Sequence, residues 1–111
     1  MIKETVTQVR PNTSVAWQDD VLLMATQAEQ DSVMNYLQSH YYSTGKVTRT
    51  VTVAPDGLSR TIDVVFSDLD AVHEFYRDEQ LQSFKQARNA YLENNNILTT
   101  YIQEGFDRFS I

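Results

Sequence analysis

The chain has 111 residues, with 9 lysines and arginines against 15 aspartates and glutamates, so its formal net charge at pH 7 is −6. This length suffices for one domain with its own core, and we predict a single domain over residues 1–111. The negative charge repels nucleic acid, and the absence of cysteine excludes disulfides, thiolate catalysis and cysteine-ligated metals. With no membrane-spanning apolar run and no apolar signal core, we expect a cytoplasmic protein that binds neither nucleic acid nor membrane.

The first part of the chain predicts a strand followed by a helix. Residues 2–10 alternate loosely between apolar and polar side chains, which indicates a strand. The short apolar run at residues 21–25 fits a helix or a strand equally well and stays unassigned. From Gln27 the apolar residues recur at helical spacing, and this helix is predicted to end near His40.

Residues 46–66 carry the clearest pattern of the chain. Two runs rich in β-branched residues flank the sequence Ala54-Pro55-Asp56-Gly57-Leu58. Proline presets the first corner of a type I turn, and glycine accepts the left-handed conformation that follows. The pattern therefore predicts a β-hairpin whose three-residue loop ends with Gly57 in a left-handed conformation.

The register of this hairpin follows from the predicted turn. If Ala54 faces Leu58, Arg49 lies opposite Asp63, and this pair is a candidate for polar contacts at an interface or with a ligand. Arg60 falls on the other face, where an arginine is expected to reach past the helices to water. The face of Arg49 and Asp63 would also carry four valines: Val47, Val51, Val53 and Val65.

The second half of the chain predicts a broken helix and a last strand. Ser67 is the expected N-cap of the helix, which breaks near residues 77–78 and continues to about Glu93. The three asparagines at residues 94–96 are expected to cap its end, because asparagine tolerates left-handed geometry. The remaining residues are predicted to form a strand (97–104) and a terminal extension (105–111).

These elements predict an α+β protein in the order β-α-β-β-α-β. In the ferredoxin-like plan, this order gives a four-stranded antiparallel sheet with both helices on one face, here with the second helix broken. The four valines would leave more apolar surface on the bare face than a monomer normally exposes. We therefore predict a homodimer in which two sheets pack face to face.

In element order and size the whole chain resembles the dimeric α/β-barrel superfamily. The local match is a helix–hairpin–helix segment from Tyr42-Ser43-Thr44-Gly45-Lys46 through Pro55-Asp56-Gly57-Leu58 to Phe75-Tyr76. The resemblance implies two ferredoxin-like subunits packed sheet to sheet, in a group that includes cofactor-independent monooxygenases and haem-degrading enzymes. The haem-degrading branch would need an asparagine, a tryptophan and a histidine in its pocket. Trp17, His40 and His73 do not match that set in spacing, so no catalytic residue is transferred and no cofactor is expected.

The candidate residues have alternative explanations in folding alone. A flat ligand would suit a pocket lined by Trp17, Tyr36, Tyr41 and Tyr42, but such aromatics more often close a core or form an interface. His40 lies where an imidazole complements the end of a helix dipole. Asp70 and His73 have a spacing that would suit a metal, but acids are favoured in a first helical turn for dipole reasons. We predict no catalytic residue and no metal site.

The sequence favours a non-enzymatic interaction or structural role for a homodimer. The alternative is a small-molecule-binding protein, or a cofactor-independent oxygenase or isomerase, that uses a cavity between sheet and helices. A cavity of a few hundred Å³ with convergent polar groups would favour the alternative. The candidate pocket or interface residues are Trp17, Tyr36, His40, Tyr41, Tyr42, Arg49 and Asp63.

Overall fold

The computed structural model describes residues 1–110, in which four strands, three α-helices and several shorter helical turns are present. The strands and helices are β1 (Ile2–Val9), α1 (Gln27–Leu37), β2 (Val47–Val53), β3 (Ser59–Phe66), α2 (Leu69–Arg77), α3 (Gln82–Asn94) and β4 (Leu98–Glu104). The shorter elements are a π-helical turn (Gln38–Tyr42) and three 3-10 turns (Gln18–Asp20, Glu79–Leu81 and Arg108–Ser110). Residues 21–25, unassigned from the sequence, lie in none of them. Within residues 1–110, no helix is long and apolar enough to cross a bilayer.

The four strands form one antiparallel sheet in the order β2-β3-β1-β4. This is the strand order of the ferredoxin-like plan, so the predicted α+β fold is confirmed. The predicted break in the second helix is also present, because α2 ends at Arg77 and α3 begins at Gln82. Alternate strand residues, among them Val6 and Ile62, are buried on one side of the sheet, which we call the helix-facing side.

The loop of the β2–β3 hairpin is one residue longer than the sequence predicted. The N–H of Ala54 donates to the carbonyl oxygen of Ser59 at 2.9 Å, so Ala54 faces Ser59 rather than Leu58. The Asp56 carboxylate accepts from the N–H of Leu58 at 2.9 Å, a turn-forming bond that keeps Leu58 in the loop. Gly57 has a φ of +74°, which confirms its predicted left-handed conformation.

The longer loop changes every predicted cross-strand pair of the hairpin, because a one-residue slip exchanges the two faces of a strand. Arg49 pairs with Val64 and Asp63 pairs with Thr50, so the predicted Arg49–Asp63 pair is wrong. The predicted apolar bare face is also wrong, because three of its four valines lie on the helix-facing side: Val47, Val51 and Val53.

The other side of the sheet, which we call the open face, is rich in threonine. The register places one threonine from each strand in a single row: Thr52, Thr61, Thr7 and Thr100. Asp63 lies on this face, where it accepts from the Thr5 hydroxyl at 3.3 Å and lies 3.8 Å from Lys3 Nζ. Three exposed apolar side chains also belong to it: Val9, Leu98 and Ile102.

Of two predicted helix caps, the one before α2 is wrong and the one after α3 is confirmed. The N-cap of α2 is Asp68, whose carboxylate accepts from the N–H of Ala71 at 2.8 Å, so the prediction of Ser67 is wrong by one residue. Asn96 has a φ of +56°, which confirms the predicted left-handed asparagine after α3.

The chain after β4 folds back on the core. The Phe106 ring packs against Phe66 and Tyr76, with centroids 5.8 Å and 6.0 Å apart, and Arg108 lies 4.0 Å from the centre of the Tyr101 ring. Phe106 and Arg108 therefore attach the predicted terminal extension to the rest of the fold, whereas Phe109 is 95% exposed. Residue 111, the last of that prediction, lies outside the described part of the chain.

Two clusters of buried residues hold the fold together and position the polar groups between them. The main cluster contains Leu37, Tyr41, Val47, Phe66, Ala71, Val72 and Leu81. The second cluster contains Trp17, Leu92 and Ile97. Tyr41 is fully buried, so the π-helical turn that carries it is fixed to the core.

Candidate functional site

The π-helical turn Gln38–Tyr42 separates two surface depressions. In this turn the N–H of Ser43 donates to the carbonyl oxygen of Gln38 at 2.8 Å, which is the i→i+5 bond of a π-helix. Such turns are rare and occur frequently at functional sites. Gln38 and Tyr42 line one depression, beside β2, and His40 lines the other, beside α2. We call them the sheet-side and the helix-side depression.

The helix-side depression has a volume of about 360 Å³. Its lining residues are Tyr36, His40, His73, Glu74, Arg77 and Asp78. The Tyr36 ring stacks on the His40 imidazole with centroids 5.1 Å apart, and the Tyr41 ring meets that imidazole edge-on at 4.8 Å. Three of the predicted candidate residues are therefore brought together here.

Asp78, just after α2, joins two of these aromatic residues. Its Oδ2 accepts from the Tyr36 hydroxyl at 2.5 Å and from the hydroxyl of the buried Tyr41. Burial by itself raises the pKa of Asp78, but the hydrogen bonds from the two tyrosines and from the Gln80 N–H, together with the nearby His40, outweigh it and hold the pKa below its ordinary value. Burial, followed by the hydrogen bond to Asp78, raises the pKa of the Tyr41 phenol. At neutral pH this site holds a carboxylate between two neutral phenols.

Glu74 lies one helical turn earlier and joins the π-helical turn to the start of β2. Its Oε1 is 2.6 Å from His40 Nε2, and its Oε2 accepts from Lys46 Nζ at 3.0 Å. The hydrogen bond with His40, followed by the one from Lys46, holds the pKa of Glu74 below its ordinary value. Because protein donors already occupy both carboxylates, we interpret the helix-side cluster as a brace between the π-helical turn and α2.

The sheet-side depression has a volume of about 330 Å³ and contains the predicted candidates Tyr42 and Arg49. Its other lining residues are Gln38, Val47 and Thr48. Arg49 Nη2 donates to Asp19 Oδ2 at 3.0 Å, and Arg60 Nη1 donates to the same oxygen at 2.8 Å. Burial opposes ionisation of Asp19, but the two arginines outweigh it and lower its pKa. Two guanidinium groups therefore share one carboxylate beside this depression.

Arg60 is a buried charge, only 4% exposed, at the helix-facing side of the sheet. Its Nε donates to Gln8 Oε1 at 2.8 Å, and its guanidinium lies 4.6 Å from the centre of the Trp17 ring. Arg10 lies at the same distance, 4.6 Å, from that ring. Arg60 Nη2 is buried and has no acceptor among residues 1–110. The predicted reach of Arg60 to water is wrong, because Gln8 and Trp17 hold its side chain inside.

The structure distributes the seven predicted candidate residues over three places. Those at the helix-side depression are Tyr36, His40 and Tyr41. Those at the sheet-side depression are Tyr42 and Arg49, with Trp17 connected to them through Arg60 and Asp19. Asp63 is on the open face, apart from both depressions.

Sequence reasoning missed the polar residues that complete each site, although a signal for two of them is present. Gln8 and Arg60 are each two residues from a buried apolar residue of the same strand, Val6 and Ile62, so their side chains lie on the same, buried side of the sheet. A polar side chain on that side needs a buried hydrogen-bond partner, and Gln8 and Arg60 bind each other. Glu74 and Asp78 carry no such signal, because acids on an exposed helix face are common.

A metal site is not part of either depression in the described chain. Among residues 1–110, no group of three or more histidine, aspartate and glutamate side chains is arranged to hold a metal ion. Asp70 and His73, whose spacing in the sequence would have suited a metal, belong to no such group. The charged groups available to a ligand at the sheet-side depression are instead arginines.

Two solved structures are similar to the chain over nearly its whole length. One is a Deinococcus radiodurans protein that carries the name antibiotic biosynthesis monooxygenase; it is 16% identical, has a TM-score of 0.47, and is matched over 96% of this chain and 95% of that one. The other is Rv0793 from Mycobacterium tuberculosis, which is 7% identical, has a TM-score of 0.41, and is matched over 97% of this chain and 99% of that one. The likeness is one of fold. No protein-family model matches the chain, and no curated protein matches it in sequence.

Both identities are below 25% and both TM-scores are below 0.5, so these similarities carry no argument about this chain. At such low identity they say nothing about chemistry. The ferredoxin-like assignment rests on the strand order and register of the sheet, and the function has to be argued from the two depressions.

Proposed function

We propose that this chain forms a homodimer in the cytoplasm that binds a small molecule in the sheet-side depression and catalyses no reaction on it. The observation that carries the proposal is the convergence of Arg49, Asp19 and Arg60 beside a depression of about 330 Å³. Small-molecule sites are typically concave, with a few polar groups that orient the ligand among apolar and aromatic side chains. Tyr42 and Val47 supply the aromatic and apolar surface here.

The proposal keeps the non-enzymatic interpretation that the sequence favours, but it replaces a purely structural role by ligand binding. A catalytic site would need a base or nucleophile that is free to act on the substrate. Burial raises the pKa of the Tyr42 phenol, against the opposing effect of Arg49, so this hydroxyl stays protonated at neutral pH. The guanidinium of Arg49 is likewise no base.

A second candidate function is a cofactor-independent isomerase at the helix-side depression. The His40–Glu74 pair favours it, because a carboxylate that orients an imidazole is a common arrangement for a general base. It ranks second because Glu74 also binds Lys46, and Asp78 binds two tyrosines, so the polar groups there satisfy one another.

Fragment binding followed by NMR tests the proposed site. Isotope-labelled protein titrated with neutral, cationic and anionic aromatic fragments is expected to show saturable shifts of the backbone amides of residues 47–49. The amides of residues 73–78, beside the helix-side depression, serve as an internal control and are expected to stay unchanged. Shifts at residues 73–78 and at His40, without shifts at residues 47–49, would favour the second candidate. The absence of any saturable shift at millimolar concentration would contradict ligand binding.

We further propose that the second copy of the chain packs on the open face. The exposed fractions of Leu98 and Ile102 are 70% and 68%, and apolar side chains this exposed on a sheet favour an interface. The row of four threonines can form hydrogen bonds with the same row of a two-fold related copy, because hydroxyls both donate and accept. These residues replace the valines on which the sequence-based prediction of a dimer depended.

Sedimentation equilibrium at micromolar concentration is expected to give about twice the chain mass of 12.8 kDa. Ile102→Glu places a charge on the open face and is expected to shift the protein to the monomer. Leu69→Glu is the matched control, because Leu69 is an exposed leucine of α2, and it is expected to leave the dimer intact. A wild-type monomer at tens of micromolar would contradict the dimer, and an Ile102→Glu dimer would contradict this face.

A further inference from the structure

We propose that the ligand of the sheet-side depression is a small organic carboxylate with a flat, unsaturated body, bound through the guanidinium group of Arg49. The inference rests on the proposed function, since it names the chemical class of the molecule that this depression takes. Three independent features carry it: the local charge, the unused hydrogen-bond donors and the shape of the lining.

The surroundings of the sheet-side depression are positive, although the chain carries a net charge of −6. Arg49 and Arg60 share the single carboxylate of Asp19. Arg49 lines the depression and Arg60 is only 4% exposed, so these three groups together carry one net positive charge. A positive local charge attracts an anion, and the partly buried location weakens screening by salt.

Arg49 has hydrogen-bond donors that the protein does not use. Its Nη2 binds Asp19 at 3.0 Å, whereas its Nε and Nη1 have no acceptor among residues 1–110. A guanidinium offers its donors in a planar fork that matches the two oxygens of a carboxylate. Because Arg49 lines the depression, an anionic ligand can use the donors that the protein leaves free.

The lining beyond Arg49 suits a flat body attached to the carboxylate. The half-buried Tyr42 ring and the buried Val47 side chain offer aromatic and apolar surface, and Gln38 offers an amide that both donates and accepts. A volume of about 330 Å³ is at the lower end of the range of small-molecule sites. An aromatic or conjugated carboxylate combines the negative group and the flat surface in a molecule of this size.

Calorimetric titration with benzoate, benzamide and phenyl phosphate tests this inference. Benzoate and benzamide share the ring and differ in charge, and we expect benzoate to bind about tenfold more tightly, which corresponds to about 1.4 kcal/mol. Phenyl phosphate shares the charge and differs in the geometry of its oxygens, and it is expected to bind more weakly than benzoate. Trp17 is the only tryptophan of the chain, so its fluorescence gives a second readout close to the site.

Two arginine variants locate the charge that matters. Arg49→Met is expected to lower the affinity for benzoate about tenfold, to that of benzamide. Arg77→Met is the matched control, because it removes the same charge from the helix-side depression, and it is expected to leave the affinity for benzoate unchanged. The urea unfolding midpoints of both variants, compared with the wild type, separate a loss of binding from a loss of folding.

The outcomes distinguish this inference from the proposed function on which it rests. Equal binding of benzoate and benzamide, with shifts at residues 47–49, would overturn the carboxylate and leave small-molecule binding intact. Tighter binding of phenyl phosphate, or an equal effect of Arg49→Met and Arg77→Met, would overturn the assignment of a carboxylate on Arg49. If none of the three probes binds, this inference is overturned, even where the fragment titration supports the proposed function.

Discussion

Replacing Gln8 with leucine is expected to lower the free energy of unfolding by about 3 kcal/mol. Gln8 is 2% exposed and accepts from Arg60 Nε at 2.8 Å. Without this acceptor, Arg60 Nε has no partner, and Arg60 Nη2 already lacks one among residues 1–110. Only Nη1 of the buried guanidinium keeps its bond, to Asp19. Urea unfolding followed by the fluorescence of Trp17 measures the loss.

Two further variants separate the lost hydrogen bond from lost packing. Gln8→Glu keeps an acceptor in the same place and adds an ion pair with Arg60, so we expect its stability to remain within about 1 kcal/mol of the wild type. The double variant Gln8→Leu, Arg60→Leu removes the buried charge together with its partner, and we expect it to recover most of the loss. Additive effects of the two single leucine variants would show that Gln8 and Arg60 do not depend on each other.

Replacing Asp78 with alanine is expected to lower the free energy of unfolding by about 3 kcal/mol at neutral pH. The hydroxyl of Tyr36 would lose its acceptor, that of the buried Tyr41 would keep only the Glu74 carbonyl oxygen at 3.3 Å, and the N–H of Gln80 would lose its cap. Asp78→Asn keeps one carbonyl acceptor without the charge, so we expect it to lose about half as much. Urea unfolding of both variants measures these differences, and an unchanged midpoint for Asp78→Ala would contradict the brace between the π-helical turn and α2.

The same carboxylate is expected to make the stability depend on pH. Burial raises the pKa of Asp78, but the bonds from Tyr36, Tyr41 and the Gln80 N–H, together with the nearby His40, outweigh this effect, so the folded pKa lies below its ordinary value. A group with a depressed folded pKa stabilises the protein above its unfolded pKa, and this contribution is lost as the pH falls through the folded value. The wild type should therefore lose more stability than Asp78→Asn when the pH is lowered below about 4.

The comparison with Asp78→Asn is needed because a second carboxylate titrates in the same range. The pKa of Glu74 is also lowered, first by its hydrogen bond with His40, and Glu74 is present in both proteins. The difference between the two unfolding curves at each pH therefore reports Asp78 alone. Parallel pH profiles for the wild type and Asp78→Asn would mean that the tyrosine hydrogen bonds do not stabilise the ionised form.

The element order and the strand order of the sheet could be predicted from the sequence, whereas the register of the hairpin could not. The β-branched runs and the left-handed Gly57 indicate a hairpin under either loop length. The longer loop is accompanied by a hydrogen bond from the Leu58 N–H to the Asp56 carboxylate, which the turn signal does not announce. Because side chains alternate along a strand, this one-residue difference in loop length changes which residues of β2 and β3 share a face.

The candidate site was predictable only in part. The aromatic residues around His40 mark the π-helical turn, but its partners Glu74 and Asp78 come from a helix that follows the whole hairpin. Their pairing depends on how α1 packs against α2, which no local pattern encodes. Arg49 was singled out with the wrong partner, since its contact with Asp19 joins a strand to a loop thirty residues earlier.

The position of β1 determines when the sheet can be completed during synthesis. β1 is synthesised before the other three strands, yet it lies in the interior of the sheet between β3 and β4. Lys3 pairs with Val65 on one side and with Glu104 on the other, so its second neighbour is made about a hundred residues later. Pairings this distant in sequence are slow, because nearly the whole chain has to form a closed loop first. The nascent chain can build the β2–β3 hairpin and the helices early, but its central strand keeps an unpaired edge until β4 emerges.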